Sequence, residues 1–170
     1  MHTKQEIRIG IIGAGNIGGI HIKAFHNLPG AVITAVSDVF HPFAEKRAAE
    51  YGIPHVYKSA DELIESAQVD AVIIAVSNEW HAPYAVKALQ AGKHVLLEKP
   101  MALNAEAAKE IVRAERKAGK VLMIPHTMRW EPHALQVKEQ LDKGDWGTWF
   151  TKKNKSGGGL LLISAFICWI

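Results

Sequence analysis

The stretch from Ile7 to Gly18 constrains the fold more than any other part of the sequence. It is a β-branched apolar run followed by three glycines in the pattern G-x-G-x-x-G. The run is typical of a parallel strand that is buried on both faces. In a dinucleotide-binding fold the first glycine makes a tight turn, the second lets the backbone approach a pyrophosphate, and the third lets helix and strand pack closely. We therefore expect a strand, a phosphate-binding loop, and a helix from about Ile17 whose positive end faces the phosphates.

An acidic residue follows at the distance that such a fold requires. Asp38 lies twenty residues after Gly18, at the end of a second apolar run from Ala31 to Val36. Its carboxylate can accept both ribose hydroxyls of an adenosine and would repel a 2′-phosphate, which favours NAD over NADP as the cofactor. The alternative is that Asp38 only caps the helix that follows it.

Strand and helix signals alternate along the chain as far as residue 143. The predicted strands are 7–12, 31–36, 55–57, 71–76, 93–97 and 121–124, and the predicted helices are 17–27, 42–51, 60–67, 79–90, 105–118 and 131–143. Such alternation indicates βα units in a right-handed parallel sheet. The fold class is therefore α/β, with a Rossmann-type doubly wound parallel sheet.

Composition excludes several classes of protein. The 170 residues are 48% hydrophobic and 22% charged with a net charge of +3, an ordinary globular balance. The small basic cluster at residues 152–155 is interpreted as a solvated loop, so no nucleic-acid partner is expected. The single cysteine, Cys168, cannot form a disulfide within the chain, which suits the cytoplasm. The apolar run from Leu160 to Ile170 is too short to span a bilayer, and the first residues lack the apolar region of a signal peptide.

Polar residues follow the fourth and fifth predicted strands, where ligands of open α/β sheets bind. Ser77, Asn78 and His81 could line the path of the cofactor toward its nicotinamide, although His81 could equally be a structural histidine at a helix start. A lysine such as Lys99, held at a strand end, can hydrogen-bond a substrate hydroxyl and stabilise developing negative charge. The alternative for Lys99 is an ordinary surface lysine.

Four segments together resemble one family of oxidoreductases. The glycine-rich loop, Asp38, the segment from Val76 to His81, and Ala-Gly-Lys-His-Val-Leu-Leu-Glu-Lys-Pro at residues 91–100 resemble the Gfo/Idh/MocA family of glucose–fructose oxidoreductase and inositol dehydrogenase. The ending Glu-Lys-Pro is the most specific of these segments. The resemblance continues through residues 126–132, which places Arg129 and Trp130 near the active site, and it covers about residues 6–143.

The resemblance implies a hydride-transfer enzyme that acts on a sugar, inositol or similar polyol with NAD, and less readily NADP, as cofactor. The lysine that matches Lys99 contacts the reacting hydroxyl in that family, and no metal is implied. Family members are homo-oligomers, but this chain need not be. The candidate cofactor-binding residues are Gly13, Gly15, Asn16, Ile17, Gly18, Asp38, Ser77, Asn78, His81, Glu98, Lys99 and Arg129.

The sequence also departs from the family. Relatives are roughly twice as long, and their α+β substrate domain supplies a general acid/base histidine in a motif like Asp-Ile-Gly-x-His-x-x-Asp, which is absent from these 170 residues. We expect an NAD-binding domain at residues 1–125 and a remnant of the substrate domain at 126–170, aberrant from about residue 160. An NAD-dependent polyol dehydrogenase and a truncated NAD-binding fragment without turnover are therefore both open.

The tail suggests a cause for this departure. Residues 163–170 can be written in codons whose neighbouring frame encodes Asp-Ile-Gly-Val-His-Met-Leu-Asp, which matches the family motif. Loss of one base between Gly159 and Ile163 would produce this tail, so we expect a frameshifted product that lacks the ancestral histidine and does not turn over. The alternative is coincidence, because the codons were chosen to fit. Sequencing the gene beyond codon 170 distinguishes the two.

Overall fold

The computed structural model describes residues 6–143 of the chain. The chain divides into two compact units, Met1–Pro125 and His126–Ile170, and each is described by itself. The expectations about the tail, its frameshift and the basic cluster fall outside the described residues.

The first unit is built on a six-stranded parallel sheet. The strands are β1 (Ile7–Ile12), β2 (Ala31–Ser37), β3 (His55–Tyr57), β4 (Ala71–Ile74), β5 (His94–Leu97) and β6 (Leu122–Met123), in the order β3-β2-β1-β4-β5-β6. The helices are α1 (Asn16–Phe25), α2 (His41–Tyr51), α3 (Ala60–Glu65), α4 (His81–Gln90) and α5 (Ala105–Ala118). The strand order reverses at β1 and β4, and this point of reversal is where a doubly wound sheet binds its ligand. The predicted fold class is confirmed.

Helices cover both faces of the sheet, which explains the continuous apolar run of β1. Ile12 packs on one face with the buried side chains of α3, α4 and α5, including Leu89. Ile11 packs on the other face with α1 and α2, against Ile22 and Ala44. Both isoleucines are at most 2% exposed. Burial of alternate side chains on opposite faces requires apolar residues at successive positions.

The fourth strand is shorter than the sequence predicts. Its last register pairs are Ile12 with Ile74 and Ile74 with Leu97, so both neighbouring strands end at the same level. The N–H of Ala75 still donates to the Ile12 carbonyl at 2.8 Å, but beyond it Val76 has no strand partner and the chain bends out of the sheet. The helix predicted at 79–90 is in fact a 3₁₀ turn, Asn78–Trp80, followed by α4. The other predicted boundaries agree with the structure within two residues.

The second unit contains a 3₁₀ turn, Thr127–Trp130, and helix α6 (Pro132–Lys143) in its described part. An ion pair one turn apart, between Lys138 and Asp142, lies along the exposed side of α6 at 2.9 Å. None of the helices in the described part of the chain is both long and apolar enough to cross a membrane.

One ion pair connects β1 to the residue that precedes β4, at the amino-terminal edge of the sheet. Arg8 of β1 donates from Nε and from its terminal nitrogen to the two carboxylate oxygens of Asp70, at 2.9 and 2.7 Å, and its backbone N–H donates at 3.0 Å. Asp70 donates its own N–H back to the Arg8 carbonyl at 2.8 Å. The hydrogen bonds from Arg8 lower the pKa of Asp70 to about 2. The folded chain therefore stabilises the ionised form of Asp70 relative to its protonated form.

We expect Asp70→Asn to destabilise the fold only where the carboxylate is ionised. The pKa of Asp70 is lower in the folded than in the unfolded chain, so its stabilisation is present above about pH 4 and is lost as the pH falls toward 2. The pair is partly exposed, so solvent screening reduces the loss to about 1 kcal/mol at pH 7. Urea unfolding at pH 7 and at pH 2–3 measures it. Asp61→Asn, which removes an exposed pair with Lys87, is the control and should cost less than about 0.5 kcal/mol.

Candidate functional site

The glycine-rich loop is packed so closely that two of its glycines leave no room for a side chain. Gly13 has a φ of +95°, its N–H donates to the Ser37 carbonyl at 2.9 Å, and a Cβ on it would overlap the Ala75 carbonyl. A Cβ on Gly18 would overlap the Gly13 carbonyl. Gly15 is different, because a Cβ there would meet nothing within 4 Å. The first and third glycines thus serve packing, and the second faces open space.

The N-terminus of α1 is left free of side chains. Its N-cap residue is Gly15, no side chain caps it, and its first turn contains no acidic residue. In contrast, α3 and α5 are capped by the side chains of Ser59 and Asn104. The backbone N–H groups of the first turn, residues 16–18, therefore have no side-chain acceptor, and the helix dipole adds partial positive charge there. Such a helix end is suited to hold a phosphate.

Asp38 forms hydrogen bonds to the glycine-rich loop and to the turn that precedes α2. Its Oδ2 accepts the N–H of Ala14 at 2.6 Å and its Oδ1 accepts the N–H of Phe40 at 2.8 Å. The N-cap residue of α2 is Phe40, with no side-chain cap, so Asp38 is not the cap itself. The carboxylate instead orders the turn before α2 and links it to the glycine-rich loop.

The open space beside Gly15 is a cavity of about 490 Å³. Two aromatic pairs border it: Phe40 and Phe43 meet edge to face at 5.0 Å, and Trp80 stacks on Tyr84 at 5.4 Å. Ser37 also borders it, and its buried hydroxyl has no hydrogen-bond partner in the part of the chain that the structure describes. The other lining residues include Ile12, Gly13, Gly15, Asp38, Val39, Lys58, Ser59, Ala60, Ala75, Val76 and Ser77. Apolar rings beside a few polar groups suit a heteroaromatic ligand with a polar substituent.

The residues predicted after β4 are not all in this cavity. Ser77 borders it and donates its hydroxyl to Glu79 at 2.8 Å. Hydrogen bonds from the backbone of Glu79 and from Ser77 lower the pKa of Glu79. Asn78 instead borders a separate cavity of about 370 Å³ beside α4 and the start of α5.

His81 is buried and lies between two carbonyl groups. Its Nδ1 is 2.6 Å from the Pro100 oxygen and its Nε2 is 3.1 Å from the Val76 oxygen. The ring thereby joins the end of β4 to the turn after β5. This geometry is that of the structural alternative for His81, and its contact with a cofactor stays a prediction.

Glu98 and Lys99 follow β5 and are positioned by a residue that the sequence did not single out. His21 Nε2 of α1 lies 2.9 Å from Glu98 Oε1, with both side chains largely buried, and Glu98 Oε2 accepts the Lys99 N–H at 3.0 Å. The Lys99–Pro100 peptide bond is cis. Lys99 is exposed, and its ammonium forms no ion pair with the residues described.

The remaining predicted residue lies in the second unit. Arg129 is half-buried within the 3₁₀ turn, where its N–H donates to the His126 carbonyl at 3.0 Å, and the neighbouring Trp130 is 72% exposed. No group of three histidine, cysteine or acidic side chains able to hold a metal ion occurs among residues 6–143.

Sequence reasoning missed several residues of the site because their roles depend on packing. Arg47 of α2 donates to the Ala14 carbonyl at 3.4 Å, and its guanidinium occupies the space where a Cβ on Gly19 would be. Lys58 borders the cavity without belonging to any motif, and Trp80 borders it although the segment from Val76 to His81 was not expected to contribute through this residue. The available signal was the position of Lys58 directly after β3, and that of Trp80 in the segment between β4 and α4.

We expect Gly15→Ala to weaken dinucleotide binding and Gly18→Ala to destabilise the fold. Gly15 has a φ of −66°, so the fold should tolerate alanine within about 0.5 kcal/mol, but the methyl group would face a bound phosphate and should weaken dinucleotide binding about tenfold or more. Gly18→Ala should cost about 2–3 kcal/mol of stability, since backbone would have to move. Thermal unfolding and calorimetric titration of both variants measure the two effects. Equal stability losses would contradict the assignment.

Comparisons with known proteins find relatives of this chain among dehydrogenases and reductases. Inositol 2-dehydrogenase 2 of Saccharopolyspora erythraea is 37% identical over 142 residues, which are 82% of this chain and 42% of that protein. The structure of scyllo-inositol dehydrogenase from Lactobacillus casei with bound NAD(H) and scyllo-inositol is 28% identical with a TM-score of 0.77, over 84% of this chain and 43% of that one. A variant of KijD10, a 3-ketoreductase from Actinomadura kijaniata solved with TDP-benzene and NADP, is 30% identical with a TM-score of 0.76, over 82% and 43% of the two chains.

The chain thus spans less than half the length of these relatives. The family model that matches it is the oxidoreductase family with an NAD-binding Rossmann fold, and the match extends over residues 7–126. Because this match covers well over half of the chain and includes the glycine-rich loop, Asp38 and the Glu-Lys-Pro turn, the chain belongs to the Gfo/Idh/MocA family of oxidoreductases and carries its NAD-binding Rossmann domain.

Proposed function

We propose that the chain binds NAD in the cavity beside Gly15 and acts as an oxidoreductase of the sugar or polyol dehydrogenase type. The observation that carries the proposal is the uncapped N-terminus of α1, which opens beside Gly15 onto the cavity that Asp38 borders. The first turn of α1 would hold the pyrophosphate, and Asp38 would accept the ribose hydroxyls. The aromatic pairs would pack against the adenine.

The proposed chemistry is oxidation of a substrate carbon that bears a hydroxyl: its hydride would pass to NAD when NAD is bound, and the hydroxyl proton would pass to water or a general base, which leaves a carbonyl group. Lys99 is the proposed catalytic residue. Its ammonium would donate a hydrogen bond to the reacting hydroxyl and stabilise the negative charge that develops on that oxygen. Among the described residues no acidic side chain forms an ion pair with the Lys99 ammonium, so it is available to a substrate. Glu98, held by His21, would orient the turn that presents Lys99.

The substrate class rests on the relatives, several of which are inositol dehydrogenases. We infer an inositol-like polyol or a sugar as the substrate, with a cytoplasmic location as a further part of the proposal. The predicted roles of Asn78, His81 and Arg129 near the nicotinamide also belong to it.

A second candidate function is NAD binding without turnover. It is supported by the absence, from all 170 residues, of the motif that provides the general acid/base histidine in the family. Lys99 alone can stabilise charge on the substrate oxygen, but the proton of the hydroxyl then needs another acceptor. The two functions share the cofactor site and differ only in turnover.

We expect NAD to bind more tightly than NADP, and Asp38→Ser to narrow that gap. The substitution removes the repulsion of a 2′-phosphate, and it also removes the acceptor of the ribose hydroxyls and of the Ala14 N–H. NAD affinity should therefore fall roughly tenfold while NADP affinity changes less. Calorimetric titration with both dinucleotides measures it. Tighter binding of NADP than NAD by the unaltered protein would refute the proposal for Asp38.

We expect Lys99→Met to separate binding from chemistry. The variant should bind NAD within about twofold of the unaltered chain, because Lys99 lies outside the adenosine cavity, whereas any NAD reduction over a panel of inositols and sugars should fall roughly 10²-fold or more. Lys117→Met, at an exposed position near the end of α5, is the control for loss of one positive charge. NAD binding by the unaltered chain without turnover on any polyol would favour the second function.

A further inference from the structure

A lysine stands beside Asp38 at the carboxyl edge of the sheet. In the parallel pair of β2 and β3, Ser37 is the register partner of Tyr57. The next residues on the two strands are Asp38 and Lys58, which therefore leave the sheet side by side. Both border the cavity that opens beside Gly15. One acid and one base thus lie at adjacent positions around the same cavity.

Asp38 and Lys58 do not form an ion pair with each other. Both oxygens of Asp38 accept backbone N–H groups, from Ala14 and Phe40. Lys58 is exposed, and its ammonium forms no ion pair with any described residue. Its backbone N–H donates to the Glu62 carboxylate at 3.1 Å. The side chain is a flexible stem of four methylene groups, so its ammonium can move toward a ligand at this edge of the cavity.

The chemistry of the two groups is opposite toward a phosphate. A carboxylate at the end of β2 accepts ribose hydroxyls and repels a 2′-phosphate, whereas a cation nearby accommodates that phosphate. We propose that Lys58 is a specificity-determining residue that provides a subsite for the 2′-phosphate, so that the site binds NADP as well, more weakly than NAD. The inference depends on the proposed binding of the adenosine half of NAD beside Asp38.

The size of the effect follows from the exposure of Lys58. A single unit charge close to a phosphate at a solvated surface changes affinity by about fivefold to tenfold, and salt weakens the interaction. NAD has no group at this position and should barely respond to loss of the lysine. The ratio of the two dissociation constants therefore isolates Lys58 from any general effect on the fold.

The test is a calorimetric titration of the 170-residue chain with NAD and with NADP, at low and at high salt. Lys58→Met should raise the Kd for NADP about fivefold to tenfold, leave the Kd for NAD within twofold, and flatten the salt dependence of NADP binding. Lys58→Arg should retain NADP binding because it keeps the positive charge. Lys117→Met should change neither affinity, and thermal unfolding of each variant reports on folding.

The outcomes separate this inference from the proposed function. If the unaltered chain binds NAD and Lys58→Met changes both affinities equally, or neither, the subsite is wrong while the cofactor site stands. A Lys58→Arg variant that loses NADP binding as fully as Lys58→Met overturns the role of the charge. If the unaltered chain binds neither dinucleotide, both the cofactor site and the subsite are wrong.

Discussion

The close approach of α1 to the end of β1 is the constraint on which the rest of the site depends. At Gly18 the helix passes the Gly13 carbonyl so closely that no side chain fits between them. This contact directs the N-terminus of α1 toward the point where the strand order reverses. The free N–H groups, the opening beside Gly15 and the cavity next to Asp38 all follow from that direction. Helix packing and ligand binding are therefore two results of one backbone geometry.

Much of the fold could be predicted from local sequence because its causes are local. Successive isoleucines in β1 predicted a strand buried on both faces, and Ile11 and Ile12 indeed pack into different cores. Ser59 and Asn104 are of residue types that favour helix N-caps, and their side chains cap α3 and α5. The sequence prediction placed the end of β4 two residues too late. That end depends on where β1 and β5 end, which no property of residues 75–76 reveals.

The site could be predicted only in part, for the same reason. The glycines and Asp38 belong to a pattern whose spacing implies their geometry. His21, Arg47 and Lys58 have no such pattern, and their roles arise from which elements pack side by side. His81 shows the converse: it lies in a segment that resembles the family and follows a strand, yet both of its ring nitrogens face carbonyl groups in the interior.

The hydrogen bonds of Asp38 also determine how many further donors the site can accept. A carboxylate offers about four lone-pair positions, and the N–H groups of Ala14 and Phe40 occupy two of them. Two positions are left, which equals the number of hydroxyl donors on an unmodified ribose. A ribose phosphorylated at the 2′ position has only one, so one position on the carboxylate would be removed from water without a partner. The selectivity proposed for Asp38 would therefore depend on donor number as well as on charge.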